Sequence, residues 1–371
     1  MMRFARAYRY LNRNIWRMIG GILLLNLINA AFFLIFNLYL RRLGYDDGTI
    51  GELVSLRHAG ILLVALPLGI YIRKRRLKPF FIASGIATPL LSLVLVQAVT
   101  YGQSWWLNAL MFGWGITFVV NKVCALPFIL RHGRPRLQAE AFSLNYATNP
   151  LSQVISGVLI SWLTWSVADE LPSGTSLLAE AWVLMVISLV GLVSVVFFAF
   201  IRENPAPTFE QQGKRFKPWA EYDWHLVLQA LAPAMFLAVG AGLTIPFINL
   251  YFNHVFGIDS ATFGLIGAAS GVLVVGSVLV GPSFLKRYGY SVAITVVQAI
   301  GVVLLFILAS TQLISAWSGA VVVAVLAFLG RNPLMNMAAP MSHNRVMNYV
   351  GKRNHEWGVV CQWAAIQGDA K

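Results

Sequence analysis

The sequence predicts an all-α polytopic membrane protein of two pseudo-symmetric bundles, the first with six helices and the second incomplete after about four more. Three observations carry this expectation. The 371 residues are 58% hydrophobic and only 11% charged, with a mean hydropathy of +0.70, whereas a soluble domain carries about 25% charged side chains. Ten apolar runs are each long enough to cross a bilayer as a helix. Residues of the first half recur in the second at an offset of 213 positions, as from Gly44 to Gly257.

The composition excludes a soluble enzyme, a disordered chain and a fibrous one, because there is too little polar surface to face water. The runs lie at 19–40, 51–72, 80–100, 106–130, 142–166, 177–200, 226–252, 263–285, 292–313 and 317–342, with an eleventh beginning near His355. Backbone groups in lipid must be paired within the segment or within a closed barrel, and these runs are too long and continuous for barrel strands. Cys124 and Cys361 are the two cysteines. They form no disulfide framework, and Cys124 reads as a small buried hydrophobe.

Charge placement sets the expected orientation. Of 28 Lys and Arg, most fall on one side: in the N-terminal segment, in 73–78, 131–136 and 202–217, at Lys286 and Arg287, and in 345–353. The other side holds Arg41 and Arg42 among Asp46, Asp47, Asp169, Glu170 and Asp259. The positive-inside rule then places the N-terminus in the cytoplasm. The net charge of +14 is therefore topological, and short separate basic loops do not make a nucleic-acid surface. Before span one, Arg3, Arg6, Arg13 and Arg17 oppose Phe4, Tyr8, Leu11 and Ile15. This predicts an amphipathic lead-in on the anionic inner leaflet.

The repeat orders the chain. Phe36-Asn37-Leu38-Tyr39 recurs as Ile248-Asn249-Leu250-Tyr251, and the offset of 213 then carries Asp46 to Asp259, Gly51 to Gly264, Arg73 to Lys286 and Pro127 to Pro340. Such a parallel duplication places an axis along the membrane normal. It divides the chain into a bundle at 1–201, a cytoplasmic linker at 202–224 and a second bundle at 225–371. The linker is polar, with Pro205, Pro207 and Lys214–Lys217.

After span two the chain reads Gly69-Ile70-Tyr71-Ile72-Arg73-Lys74-Arg75-Arg76-Leu77-Lys78, and the second copy reads Pro282-Ser283-Phe284-Leu285-Lys286-Arg287-Tyr288-Gly289. With the repeat and the span order, these loops make the chain resemble the major facilitator superfamily over essentially its whole length. The family's loop pattern, Gly-x-x-x-Asp-[Arg/Lys]-x-Gly-[Arg/Lys]-[Arg/Lys], is met at Gly69, Lys74, Arg287 and Gly289. Its acidic position is basic in both copies, Arg73 and Lys286, so the usual acidic gate partner is missing. The resemblance implies that Gly69, Arg73, Lys74, Lys286, Arg287 and Gly289 belong to cytoplasmic gating loops. It also implies twelve helices, with spans one, four, seven and ten lining a central path. On that count about 40 residues, most of helix eleven and all of twelve, are absent, through a fragmentary sequence or a truncated gene.

Arg57, Lys122 and Arg331 lie within spans two, four and ten. Each costs about 2.5–3.5 kcal/mol at a helix centre, so each is expected to face a wet path or a partner. Polar residues recur at helical spacing: Asn26, Asn29 and Asn37 on span one, Asn121 on span four, and Asn145, Asn149 and Gln153 on span five. Asn249 and Asn253 stack on span seven, and Asn332 and Asn336 on span ten. The alternative for each is an interhelical hydrogen bond. The substrate-path candidates are Asn29, Arg57, His58, Asn121, Lys122, Asn149, Gln153, Asn249, Arg331, Asn332 and Asn336. His58 is the one candidate for proton coupling, against a packing role. Gly264, Gly267 and Gly271 predict close helix packing.

No paired carboxylate, metal-spaced His/Cys cluster, phosphate-binding glycine loop or nucleophile elbow occurs. The chain is expected to be no enzyme and to need no cofactor or metal. The expectation is a secondary active transporter that moves a small polar or anionic solute by alternating access. A drug or hydrophobic-compound exporter and a non-transporting scaffold or receptor on the same fold are the alternatives. The expected partners are the solute, a coupling proton or ion, and the lipid bilayer. The chain is read as a monomer in the inner membrane.

Overall fold

The computed structural model describes residues 11–72, 75–102, 104–133, 137–168, 176–203 and 224–350. The 202–224 linker falls largely outside these residues, and Arg73, Lys74 and the start of an eleventh run near His355 fall wholly outside them. Every described element is helical. With little water to compete, each helix satisfies its own backbone, and the apolar side chains it cannot bury face outward. Phe236, Phe306, Leu63 and Leu326 are among those outward residues.

Helix α1 runs Arg13–Arg42 and passes through one π-helical stretch, Phe32–Phe36. It is the most enclosed span, with 72% of its apolar window buried. The helices α2 (Asp47–Tyr71), α3 (Lys78–Thr100), α4 (Ser104–His132) and α5 (Gln138–Ala168) follow. Helix α6 comes in two pieces, Ser176–Leu192 and Ser194–Ala199. Helix α7 is also broken, Trp224–Thr244 and Ile248–Phe256, with a 3-10 turn at Ile245–Phe247 around Pro246. Ser260–Ser310 holds α8 and α9, divided at Gly289, whose φ of 74° is open to glycine. Helix α10 is Ala320–Val350.

Nine of the described helices are long and apolar enough to cross a membrane. The fifth expected span is not among the nine. It is nevertheless one continuous 31-residue helix, α5.

Helix ends follow their sequences. Asp46 accepts the amides of Gly48 (2.9 Å) and Thr49 (3.2 Å) and the Thr49 hydroxyl (2.6 Å) ahead of α2. These bonds hold its carboxyl below the usual carboxylate range, the Thr49 hydroxyl contributing most. Asp259 accepts the amide of Thr262 (3.1 Å) and caps α8 in the same way. Gly44 (φ 90°) and Gly257 (φ 66°) close α1 and α7 in the left-handed region. At the N-terminal side, Glu203 accepts the Leu77 and Lys78 amides at the start of α3 (2.8 and 2.9 Å). Asn14 exchanges two bonds with the backbone of Arg202 (2.6 and 3.1 Å). The N-terminal ends of α1 and α3 are thereby tied to the end of α6.

The repeat is visible in contacts. The Tyr39 hydroxyl meets the Thr100 hydroxyl at 2.7 Å, joining α1 to α3. The Tyr251 hydroxyl meets the Thr311 hydroxyl at 2.7 Å, joining α7 to the end of α9. Both members of the second pair follow those of the first by about the repeat length.

Helices α1–α6 meet α7–α10 chiefly where α5 lies along α8. The Ser161 hydroxyl donates to the Ala261 carbonyl (2.7 Å). Gly157 and Gly264 touch through their backbones, and Gly271 lies against Pro150 and Val154. Gly267 receives Leu34 from the π stretch of α1. Gly264, Gly267 and Gly271 are thus the close-packing glycines expected on span eight.

Candidate functional site

The α2–α4 contact positions the first embedded cation. Gly115 on α4 leaves room for the Arg57 carbonyl of α2, and Gly60 on α2 does the same for the Phe112 carbonyl. Drawn in this way, Arg57 sets its guanidinium 4.4 Å from the Trp114 ring and 5.7 Å from the Phe118 ring. It donates to the Asn29 amide oxygen of α1. Trp114 is itself fixed by its indole N–H, which donates to the Ser92 hydroxyl of α3 at 2.7 Å.

One turn past Phe118 on the same helix, Lys122 sends its ammonium to the Asn149 amide oxygen of α5 at 2.7 Å. It lies 5.4 Å from the Phe118 ring. The expected residues Asn29, Arg57, Lys122 and Asn149 are therefore brought together by α1, α2, α4 and α5. Both cations are held by neutral amides and ring faces, and both remain partly exposed. The described ion pairs are Arg41–Asp47 and Arg42–Glu180, so neither Arg57 nor Lys122 meets a carboxylate among the described residues. Asn121 is fully buried, and both of its amide atoms lack a hydrogen-bond partner. The Arg57 Nε is likewise buried and unpartnered. Gln153 is half-buried one turn beyond Asn149.

His58 makes a local bond, its Nδ1–H donating to the Val54 carbonyl at 2.8 Å. On α10, Arg331 is buried with its Nε unpartnered. Asn332 donates to the Ser270 hydroxyl of α8 (2.6 Å), and Asn336 donates back to the Asn332 carbonyl (2.8 Å). Gly69 is half-buried in α2. Arg287 is exposed, 5.5 Å from the Tyr288 ring, and the side chain of Lys286 lies outside the described residues.

Asn249 takes a different place. It is buried and donates to the Leu34 carbonyl of α1 at 3.1 Å. Asn37 of α1 donates to the Pro246 carbonyl of α7 at 2.5 Å. Asn37 corresponds to Asn249 and Leu34 to Pro246 at one spacing, so the two bonds form a reciprocal clasp about a pseudo-two-fold axis. The clasp lies toward the end of α1 away from the N-terminus.

Close to that end sits a group that no sequence motif singles out. Glu180 at the start of α6 has a side chain only 1% exposed. It accepts the Ser260 hydroxyl from the first turn of α8 and pairs with Arg42 of α1 at 3.3 Å. Its second oxygen is buried without a partner. The available signal is the scarcity of basic residues on that side, where Arg41 and Arg42 stand close to acids.

A sheath of membrane-length helices, a repeat relating two sets of them, and cations inside the spans are the features of a polytopic membrane protein built from two related halves. Residues 18–356 match the model of the Major Facilitator Superfamily, and the chain belongs to that family. Among solved structures, it is similar to a mutant form of the nucleoside transporter NupG, with a TM-score of 0.73 and 15% identity over 97% of this chain and 89% of that one. It is similar to a bacterial homologue of the human lysosomal transporter Spinster, with a TM-score of 0.69 and 14% identity over 96% and 80%. A D-xylose–proton symporter gives a TM-score of 0.68 and 11% identity over 95% and 87%. At such identities these structures establish the shared fold. None of the curated proteins matches the sequence.

Proposed function

We propose that this chain moves a small polar or anionic solute across the membrane by alternating access, with its N-terminus in the cytoplasm. The observation that carries the anionic preference is the pair Arg57 and Lys122, embedded in spans and neutralised by no carboxylate among the described residues. Each is costly in a membrane unless solvent or a counter-charge reaches it. An arriving anion supplies that charge, whereas an organic cation meets repulsion. Arg331 and Asn332 of α10 serve as the facing wall, contributed by the second half. Within this reading the halves are 1–201 and 225–371, joined by 202–224. The reciprocal Asn37/Asn249 clasp and the Glu180–Ser260 contact close the outer side.

Reconstituted vesicles test this directly. Counterflow of labelled organic anions is expected, and Arg331→Met should abolish it while leaving the elution profile and thermal midpoint near the parent's. Vesicles that accumulate organic cations and ignore anions would instead establish the exporter reading.

A further inference from the structure

The two cations share one ring. The Arg57 guanidinium and the Lys122 ammonium lie 5.7 and 5.4 Å from the same Phe118 ring. They come from different helices, α2 and α4. Lys122 stands seven residues beyond Gly115, the residue that receives the Arg57 carbonyl. That is about 10 Å along the helix, so the two cations enter from separate levels of the backbone and meet about one ring.

Their anchors are neutral. Asn29 accepts a hydrogen bond from Arg57 and Asn149 one from Lys122, and Trp114 and Phe118 offer ring faces. None of these cancels a positive charge. An ion with a single negative charge would satisfy one level and leave the other unmatched. A second observation points the same way. Asn121 follows Phe118 by three positions, on the helix face that carries Trp114 and Phe118. It is fully buried with donor and acceptor both unused, as is the Arg57 Nε. Buried polar atoms without partners are rare in a settled structure and mark places where a missing group belongs.

We propose that the solute is a small organic dianion. One anionic group is taken by the forked guanidinium of Arg57 and the other by the ammonium of Lys122, and its carbon skeleton spans the distance between them. Arg suits a planar two-oxygen group and Lys a point contact, so the two ends need not be alike. Asn121 then gives its amide to a hydrogen-bonding group between them. This inference rests on the anion-transport reading above and adds the number and spacing of the charges.

The test compares probes of equal length on the purified full chain in detergent. The probes are straight-chain dicarboxylates of four to eight carbons, the monocarboxylates of the same lengths, and the monomethyl esters of the dicarboxylates. The readout is the concentration giving half-maximal thermal shift at fixed ionic strength. One dicarboxylate length should act at least tenfold lower than its monoester and its monocarboxylate. Lys122→Gln should bring the dicarboxylate up to the monoester's value while leaving the monoester unchanged. The wild-type comparison decides the matter even if that variant folds poorly. Equal half-saturation by dianion and monoanion would overturn the two-charge clamp and leave the anion reading standing. Stabilisation by neutral or cationic solutes with no response to any anion would overturn both.

Discussion

Gly157→Ala should unbalance the protein without unfolding either set of helices. A Cβ at this position would press on the Gly264 carbonyl, and it would stand 2.9 Å from the Ala268 nitrogen and 3.0 Å from the Ala268 Cβ. Two of these three neighbours are backbone atoms of α8, so no side chain can rotate away and the helices must separate. Overpacking of this kind costs about 1–3 kcal/mol. The contact joins α5 to α8, so the cost falls on the form in which they are docked. A form in which they part at that level escapes it. The ratio of parted to docked molecules should therefore rise by about 5- to 150-fold. Leu40, fully buried one turn beyond Asn37, reports on this when replaced by cysteine in a chain whose Cys124 and Cys361 are serine. Labelling by a membrane-impermeant maleimide should accelerate by a factor in that range when Gly157→Ala is added. A labelling rate within twofold of the parent, in protein that remains folded, would refute the reasoning.

Other substitutions separate the remaining contacts. Arg42→Met should destabilise the contact of α1 with α6 and α8 more than Glu180→Gln. The first strands a carboxylate whose side chain is 1% exposed, while the second leaves an arginine 32% exposed to find water. The difference in thermal midpoint should correspond to about 2 kcal/mol or more, and equal effects would count against a charged Glu180. Tyr39→Phe should cost about 0.5–1.5 kcal/mol, and Tyr251→Phe more, because the Tyr251 hydroxyl also donates to the Leu308 carbonyl at 2.9 Å. Each loses a partner threonine that stays bonded to its own helix, Thr100 to Val96 and Thr311 to Leu308. A larger cost at Tyr39 than at Tyr251 in a denaturation assay would speak against this. Asp46 holds its carboxyl below the ordinary value of 3.8, so its cap contributes above that pH and is lost as acid takes the solution through the lowered value. Asp46→Asn should flatten the fall of the thermal midpoint below about pH 4, and an unchanged acid profile would exclude the cap as a source of that fall.

The helices were legible because length and hydropathy alone decide what crosses a bilayer. The repeat was legible too, since Gly44 and Gly257, and Asp46 and Asp259, occupy equivalent positions with equivalent geometry. Embedded polar residues resisted the same reading. Asn249 and Asn149 look alike in sequence, each an amide on an apolar helix. One is buried against a neighbouring backbone and the other holds a lysine, and only the third dimension separates these outcomes. Glu180 is hidden for a related reason. A carboxylate at a helix start looks like an interfacial residue until α8 brings Ser260 over it. The π stretch of α1 and the break in α7 depend on how those helices meet, and no local pattern in the sequence encodes that meeting.

The asparagine clasp has an electrical consequence. Both of its bonds run from a neutral amide to a main-chain carbonyl, Asn37 to Pro246 and Asn249 to Leu34. Parting them carries no net charge through the field, whereas each elementary charge moved across the bilayer is worth about 2.3 kcal/mol per 100 mV. This latch therefore releases as readily in an energised cell as in a depolarised one, and any response to voltage has to come from charged groups elsewhere.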